Sequence, residues 1–236
     1  MLTVSQTAAL LRTFDNILIL THVRPDGDTV GCAAALCAGL RSLGKTAFLL
    51  PNPELTDTTA PYFRPYEAPE CFTPDKVVST DIATVGLFPE NARPYAERVD
   101  LAIDHHPSFE SFGRENIVRP EAAACGELIY DILSDLGPIT PEMALPLYVA
   151  VSTDTGCFAY ANTTAQTHAV AAALLVLSRG KHRKFDQCYT GAFSPDTTPL
   201  LSGALAGAVL LAIGGFLALA AWAGSPRTLL GQRTMS

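Results

Sequence analysis

The sequence lacks paired cysteines, a surplus of basic residues and an amino-terminal apolar leader. Six cysteines are scattered through 236 residues without a C-x-x-C pair, which is typical of reduced thiols and predicts neither a zinc knuckle nor a disulfide framework. A formal net charge of -7 argues against the broad basic surface that binds duplex nucleic acid. Because no basic start precedes a long apolar stretch, we predict no signal peptide and a cytoplasmic location.

Short apolar runs that alternate with helical patterns predict an α/β fold. Apolar residues make up 48% of the chain and charged residues 17%, so a sizeable core is available. The runs favour a doubly wound, mainly parallel sheet with helices on both faces, because strands buried on both sides show no polar alternation. We predict strands at 17–20, 46–50, 76–80 and 99–103, an edge strand at 116–118, and helices at 5–14, 31–43, 121–136, from 141 to just before Gly156, and from 163 or 164 to 178.

A group of polar residues follows the first predicted strand. His22, Asp26 and Asp28 form an H-x3-D-x-D pattern directly after the apolar run ILIL. Ligands bind at the carboxyl ends of strands in open α/β sheets, and one imidazole with two carboxylates suits a divalent metal ion. Read alone, the segment is equally compatible with a polar loop in which Asp28 caps the following helix.

Two single carboxylates follow later elements. Asp81 comes directly after the apolar strand at 76–80, and Asp154 comes near the end of the helix that Pro141 opens. By itself, Asp81 also suits a capping role. In a parallel sheet, however, the strand ends meet at one edge, so Asp81 is expected to lie near the residues that follow the first strand.

The strand at 99–103 runs directly into Asp104, His105 and His106. Three consecutive titratable groups after an apolar strand cannot all be buried unless they are paired or bind a metal. Without cations, the carboxylates gathered at strand and helix ends would repel one another, so we predict a site for two divalent metal ions. Oxygen and imidazole donors suit manganese or magnesium, and two ions about 3.5–4 Å apart can support phosphoester hydrolysis by in-line displacement.

Four other titratable residues are predicted to lie outside the site. Glu127 and Asp131 fall on an amphipathic helix, where solvated surface charges are expected. His168 lies within an Ala/Leu-rich helix and is predicted to be a partly buried or surface residue. His182 lies in the basic stretch RGKHRK, a solvated or phosphate-facing turn, and a substrate contact there stays open.

Four motifs in this order resemble those of the DHH phosphoesterase family. They are THVRPDGD at 21–28, the isolated Asp81, DHH at 104–106 and STDTGCF at 152–158, and the match extends over about residues 7–183. Within the family, the chain is most similar to the oligoribonucleases and phosphoadenosine-phosphate phosphatases called nanoRNases. The resemblance implies hydrolysis of short oligonucleotides or of 3'-phosphoadenosine 5'-phosphate through a two-metal mechanism.

The resemblance also implies a role for each site residue. It implies two sets of metal ligands that share one carboxylate, namely His22, Asp26 and Asp81 in one set and Asp28, Asp81, His105 and Asp154 in the other. Asp81 would bridge the two ions, of which manganese is favoured over magnesium. His106 would face the scissile phosphate as electrophile or proton donor, and Asp104 would orient the histidines.

The carboxyl-terminal part departs from the family pattern. A typical member continues into a second, substrate-binding DHHA1 domain, whereas residues 200–224 form a run of 25 uncharged residues, long enough to span a hydrocarbon core of about 30 Å. We predict a catalytic domain at 1–185, a linker at 186–199, a hydrophobic helix at 200–224 and a polar tail at 225–236. The run is compatible with a membrane anchor, with a helix packed on the domain, and with a shifted reading frame.

The missing second domain leaves two other functions open. Without its contacts to substrate, the chain would be a catalytically weak, membrane-associated domain that binds metal or nucleotide. A manganese inorganic pyrophosphatase shares the metal motifs and is the enzymatic alternative. The expected partner is a short single-stranded oligonucleotide or a nucleotide phosphate, and no duplex. The sequence leaves open both a membrane contact through 200–224 that would tether the chain and a homodimer.

Overall fold

The computed structural model describes residues 1–178. They form a five-stranded parallel sheet in the order β2-β1-β3-β4-β5, which confirms the predicted α/β class. The strands are β1 (Ile17–Leu20), β2 (Ala47–Leu49), β3 (Lys76–Thr80), β4 (Leu101–Asp104) and β5 (Glu115–Val118). The helices in this part of the chain are α1 (Val4–Thr13), α2 (Gly27–Ser42), α3 (Ala60–Phe63), α4 (Cys125–Leu136), α5 (Pro141–Asp154) and α6 (Ala165–Leu177).

Three expectations concern residues beyond 178. They stay predictions, because the described residues do not include the predicted linker, the hydrophobic helix at 200–224 with its polar tail, or His182. Between residues 1 and 178, none of the helices combines the length and the apolar character needed to cross a membrane.

Strand β1 lies inside the sheet, between the edge strand β2 and the central strand β3. All four of its residues are buried, as an unbroken apolar run predicts for a strand covered on both faces. It pairs with β2 on one side and β3 on the other, with Ile19 opposite both Leu49 and Val78. The predicted edge strand at 116–118 is β5, which pairs with β4 alone. Since all pairs are parallel, the carboxyl ends of the strands share one edge.

The two faces of the sheet are covered differently. All six α-helices described contribute side chains to the larger hydrophobic cluster, which also contains Ile17 and Ile19 of β1. The alternate residues Leu18 and Leu20 belong to a smaller cluster on the other face, where the covering side chains come from loops and from the 3₁₀ helix Arg93–Arg98. The expectation of helices on both faces is therefore met by α-helices on the first face alone. The second face is covered by this 3₁₀ helix and by loop residues.

Two helices begin four residues away from their predicted starts, at 31 and 121. α2 begins at Gly27 because Asp26 is its N-cap, with Oδ1 accepting hydrogen bonds from the backbone N–H groups of Asp28 at 3.0 Å and Thr29 at 3.1 Å. The alternative in which Asp28 caps this helix is therefore wrong. α4 begins at Cys125 rather than at residue 121, because the backbone of Ala124 is still extended.

Helix α2 packs against α5 at unusually short range. Every residue from Gly27 to Leu40 is buried, as expected for a helix enclosed on all sides. A Cβ atom at Gly31 would clash with the carbonyl oxygen of Pro146 and lie 2.9 Å from the Cβ of Ala150, while one at Gly27 would meet Thr153. The helices thus run antiparallel, and the start of α2 lies beside the end of α5.

We expect Gly31→Ala to destabilise the protein. The added methyl group meets backbone atoms of α5, which cannot move without displacing the helix, and overpacking of this kind costs about 1–3 kcal/mol. Urea unfolding followed by circular dichroism measures the loss. Gly86→Ala is the control, because a Cβ atom there meets only the Thr84 hydroxyl at 3.5 Å. Equal unfolding midpoints for Gly31→Ala and the wild type would contradict the close α2–α5 contact.

Candidate metal centre

The predicted site residues converge at the carboxyl edge of the sheet. They come from the loops after β1, β3 and β4 and from the adjoining ends of α2 and α5. Three groups of side chains place ligand atoms within 4.8 Å of one another, namely His22–Asp26–Asp81, Asp28–His105–Asp154 and Asp81–His105–His106.

The first group surrounds the ring of His22. Its Nε2 atom lies 3.6 Å from Asp26 Oδ1 and 3.9 Å from Asp81 Oδ2. The other ring nitrogen, Nδ1, is 2.7 Å from the carbonyl oxygen of Val23 and donates a hydrogen bond to it. This bond orients the ring so that Nε2 faces the carboxylates, as the outer partners of metal-binding histidines do.

The second group surrounds the ring of His105 in the same manner. Its Nε2 atom lies 3.3 Å from Asp154 Oδ2, 3.6 Å from Asp81 Oδ1 and 3.8 Å from Asp28 Oδ2. Nδ1 is 3.1 Å from the carbonyl oxygen of Ala122. Buried Nε2 has no hydrogen-bond partner, although three carboxylates surround it.

Asp81 lies between the two groups. Its Oδ2 atom faces His22 and its Oδ1 atom faces His105, so the carboxylate has one oxygen for each side. Oδ1 is buried and accepts no hydrogen bond. The residue has a left-handed backbone, with φ 58°, while its N–H still donates to the carbonyl of Ile103 at 2.9 Å. Asp81 does not cap a helix, since the next 3₁₀ helix has Thr84 at its N-cap.

Asp28 is buried and connects the centre to a distant helix. Its Oδ2 atom accepts a hydrogen bond from the backbone N–H of Cys125 at 2.7 Å, and Oδ1 accepts from that of Gly126 at 3.0 Å. The Cys32 thiol donates to Oδ1 at 3.1 Å. Helix α4 has no side-chain cap of its own at Ala124, so Asp28 satisfies its first N–H groups.

Asp104 orients His106 and the backbone between them. Its Oδ1 atom accepts hydrogen bonds from the N–H groups of His105 and His106 at 2.7 and 3.3 Å, and from Nδ1 of His106 at 2.8 Å. The His106 ring is partly exposed, at 42% of its side chain. Because Nδ1 is committed to Asp104, Nε2 is the nitrogen that a substrate can reach.

The buried carboxylates repel one another. Burial, followed by the charge of Asp154, raises the pKa of Asp28 well above its ordinary value. Burial and then the charge of Asp28 do the same to the pKa of Asp81, and burial raises the pKa of Asp154. A cluster of this kind favours protons or cations in its centre.

The pKa values of three less buried groups, His22, Asp26 and His106, are shifted toward their charged forms. Burial is the largest influence on both His22 and Asp26 and opposes their charge, but the contact between the two side chains, their opposite charges and backbone hydrogen bonds together outweigh it, so the pKa of His22 is raised and the pKa of Asp26 is lowered. The hydrogen bond from His106 to Asp104 raises the pKa of that imidazole. Asp104 thus stabilises the protonated form of the His106 ring.

The donor set fits divalent ions that prefer oxygen and imidazole. Adjacent donors about 2.1 Å from one octahedral ion lie about 3 Å apart, and the separations of 3.3–3.9 Å around His22 and His105 close to that value by a small inward shift. The partnerless atoms Asp81 Oδ1 and His105 Nε2 are buried donors to such ions. Burial raises the pKa of Cys125 to about 11, which keeps this neighbouring thiol protonated and disfavours a thiolate zinc site.

The centre opens into a cavity of about 430 Å³ that sequence reasoning described incompletely. Its lining includes Val23, Arg24 and Leu87 beside the predicted ligands. Arg24 could have been identified, because it stands inside the motif THVRPDGD. Leu87 follows Asp81 by six residues in a segment without a pattern, and only its position beside Val23, whose N–H donates to its carbonyl at 2.7 Å, brings it to the cavity.

Among the described residues, Glu127, Asp131 and His168 lie outside the candidate site, with one correction to their predicted surroundings. Glu127 is not a solvated charge but is buried, with 3% of its surface exposed, and it accepts a hydrogen bond from the Thr167 hydroxyl of α6 at 2.6 Å. α6 covers this face of α4, which the periodicity of α4 alone could not indicate. Asp131 forms an ion pair with Arg119, and His168 stacks on Phe158 with ring centroids 5.5 Å apart.

Known proteins resemble this chain over most of the described region. The model of the DHH family, N-terminal domain, matches residues 16–151. The bifunctional oligoribonuclease and PAP phosphatase NrnA of Thermus thermophilus is 36% identical over 165 residues, which cover 67% of this chain and 49% of the relative. The Bacillus subtilis protein of the same name is 27% identical over 189 residues, covering 76% and 60%. The chain thus spans about half the length of the curated relatives it matches.

Solved structures share the fold at lower identity. An exopolyphosphatase-related protein from Bacteroides fragilis superposes with a TM-score of 0.69 at 22% identity, covering 86% of this chain and 64% of that one. A putative family II inorganic pyrophosphatase from Methanococcus jannaschii gives a TM-score of 0.53 at 18% identity, covering 73% and 59%. At these identities the likeness concerns the fold alone.

We expect Asp81→Asn to stabilise the metal-free protein. A raised carboxyl pKa contributes stability that is present below about pH 4, the unfolded value, and is lost as pH rises through the folded pKa. In EDTA at neutral pH, the uncharged variant should therefore have the higher Tm, by about 2–4 °C for each kcal/mol of repulsion removed. Asparagine also tolerates the left-handed backbone at this position.

Addition of Mn²⁺ should reverse this order. The wild-type Tm should rise with metal, whereas that of Asp81→Asn should rise much less, because one ligand of each set is weakened. Asp100→Asn is the control: this buried carboxylate pairs with Lys76 and Arg114, so its loss should lower the Tm in EDTA and leave the response to Mn²⁺ intact. A metal-induced shift of equal size in wild type and Asp81→Asn would refute the ligand assignment.

Proposed function

The chain belongs to the DHH family, and from this premise we propose that it is a divalent-metal-dependent phosphoesterase acting on short oligonucleotides or 3'-phosphoadenosine 5'-phosphate. The observation that carries the proposal is the position of Asp81, whose two carboxylate oxygens face two separate groups of ligand atoms. The activities in the names of the two NrnA relatives support the substrate class. Because the chain spans about half their length, both activity and substrate belong to the proposal.

Each of the two ligand groups holds one ion. The residues that hold them are His22, Asp26 and Asp81 on one side, and Asp28, Asp81, His105 and Asp154 on the other. Mixed carboxylate and imidazole donors favour manganese, with magnesium as the second choice. Bound divalent ions supply Lewis acidity, which lowers the pKa of water and offsets the negative charge of a phosphoryl group.

His106 and Asp104 handle the proton of the leaving group. As a water oxygen forms its bond to phosphorus, the bond to the leaving oxygen breaks, and that oxygen takes a proton from Nε2 of His106. The attacking water releases its own proton to solvent, from which the His106 ring is protonated again. The hydrogen bond from Nδ1 to Asp104 stabilises the protonated ring before the reaction. Asp104 is a positioning residue, because it acts on the substrate only through His106.

The cavity supports a substrate of nucleotide size. A volume of about 430 Å³ lies in the range of small-ligand sites, and the apolar side chains of Val23 and Leu87 offer one wall to a nucleobase or ribose. A duplex would need a wider, basic surface. We therefore assign the reaction to a chain end or a free nucleotide, with no duplex substrate.

The activity is tested by phosphate and mononucleotide release. We expect the full chain with Mn²⁺ to hydrolyse a 5'-phosphorylated dinucleotide or 3'-phosphoadenosine 5'-phosphate, and Asp154→Asn to lose more than the roughly 10–100-fold that follows the loss of an outer partner of a metal site. Asp135→Asn is the matched control, because within residues 1–178 its side chain forms polar contacts only with Ser5 and Arg12, at the surface.

Other outcomes of the same assay separate the alternatives. Hydrolysis of pyrophosphate alone would replace the proposal by a pyrophosphatase. Equal background rates for wild type and Asp154→Asn with every substrate would rule out the hydrolase and favour a domain that only binds metal or nucleotide.

The role of His106 is tested separately. His106→Gln should lower kcat by about 10²–10⁴-fold, the range of general acid catalysis, while the Mn²⁺-induced rise in Tm stays, since His106 is not among the proposed ligands. His168→Gln, on an exposed part of α6, should leave both quantities unchanged. Loss of the Tm response in His106→Gln would instead make His106 a metal ligand.

A further inference from the structure

Arg24 is a cation at the mouth of the metal cavity to which the proposed mechanism gives no task. The residue lines the cavity together with His22, Asp26 and Asp81. Among the lining residues within 1–178, it is the one lysine or arginine. Within residues 1–178, its guanidinium forms no ion pair or hydrogen bond, so its charge is available to a ligand.

The backbone at Arg24 adopts an unfavourable conformation. Its φ of 51° lies in the left-handed region, which is uncommon for any residue other than glycine. The following Pro25 restricts it further, because a residue before proline favours an extended backbone. Strain of this kind persists at functional sites when the surroundings determine the conformation.

The surroundings hold the loop from both sides. The N–H of Val23 donates to the carbonyl oxygen of Leu87 at 2.7 Å. From the other side, the buried amide of Asn52 donates to the carbonyl oxygen of His22 at 2.9 Å and to the Thr21 hydroxyl at 3.1 Å. Arg24 is thus presented from a loop with fixed backbone, which reduces the entropy lost when its guanidinium binds a ligand.

The charges of the centre indicate which ligand this is. The four carboxylates Asp26, Asp28, Asp81 and Asp154 carry four negative charges, which two divalent ions would neutralise, and the ion pair of protonated His106 with Asp104 adds no net charge. A phosphodiester then adds one negative charge that the ligand groups do not balance. Arg24 supplies the missing positive charge at the cavity, and a guanidinium binds phosphate oxygens in a paired geometry.

We propose that Arg24 binds a non-bridging phosphate oxygen of the substrate and thereby sets its KM. The inference rests on the proposed phosphoesterase function and adds a substrate-binding residue to it. The proton transfer to the leaving group stays with His106, so Arg24 contributes to binding in the ground state and the transition state alike.

The test uses substitutions that separate charge from backbone strain. Arg24→Asn removes the cation and introduces a residue that accepts the left-handed backbone, so its Tm should equal or exceed that of the wild type. KM should rise by about tenfold to a hundredfold, as for the loss of a hydrogen bond to a charged group, with kcat close to the wild-type value. The KM of Arg24→Lys should lie between those of the wild type and Arg24→Asn. Arg93→Asn, which removes an exposed arginine paired with Glu90, should change neither constant.

Equilibrium binding gives a readout that does not depend on turnover. Anisotropy of a labelled, 5'-phosphorylated dinucleotide with Mn²⁺ is measured in the His106→Gln background, with and without Arg24→Asn. The second substitution should weaken binding and reduce the slope of log K against log salt by about 0.7, the value for one contact to a single strand.

The outcomes distinguish this inference from the function on which it rests. If the wild type hydrolyses the substrate while Arg24→Asn keeps its KM, Kd and salt slope, the role of Arg24 is wrong and the phosphoesterase stands. If the wild type hydrolyses nothing, the proposed function fails. The anisotropy comparison then still decides whether Arg24 binds phosphate.

Discussion

The candidate centre depends on like charges that are buried side by side. Asp28 and Asp81 are almost fully enclosed, and burial together with the negative charge of neighbouring carboxylates raises the pKa of each. Hydrogen bonds satisfy Asp28 from one side, but Asp81 Oδ1 and His105 Nε2 have no partner among the described residues. An arrangement of this kind is unfavourable for the empty protein and favourable for cations. Its retention in the fold is the strongest physical argument for a metal centre.

The rest of the architecture keeps these charges together. Parallel strands deliver three polar loops to one edge of the sheet, and the glycines of α2 let α5 approach until Asp154 lies beside Asp28. The buried α2 has little amphipathic character, because its task is to fill the space between the sheet and two other helices. The same packing that builds the core therefore also builds the candidate site. It holds charged side chains, which a stable core would exclude, where the strands and helices end.

Local sequence patterns predicted the strands, most of the helices and the residues of the candidate site. The apolar runs at 17–20 and 76–80 coincide with β1 and β3, because a strand buried on both faces has a direct signature. The convergence of the candidate site residues followed from the parallel α/β pattern, in which the carboxyl ends of the strands share one edge, whereas the order of the strands was not predicted. What stayed hidden depends on distant contacts: Asp28 reaches the N–H of Cys125 across 97 positions of sequence, and Glu127 is covered by α6. No local periodicity encodes either contact.

The bonds from the first turn of α4 to Asp28 have a consequence for ion choice. A carboxylate that already accepts two backbone N–H groups cannot rotate to suit ions of different radius, so its remaining lone pairs point in fixed directions. In the proposed metal centre, discrimination between a small and a large divalent ion would then depend on where α4 lies against the sheet. Substitutions beneath that helix, for example at Ile129 or Leu133 in its buried face, would alter selectivity from a distance without touching a single ligand.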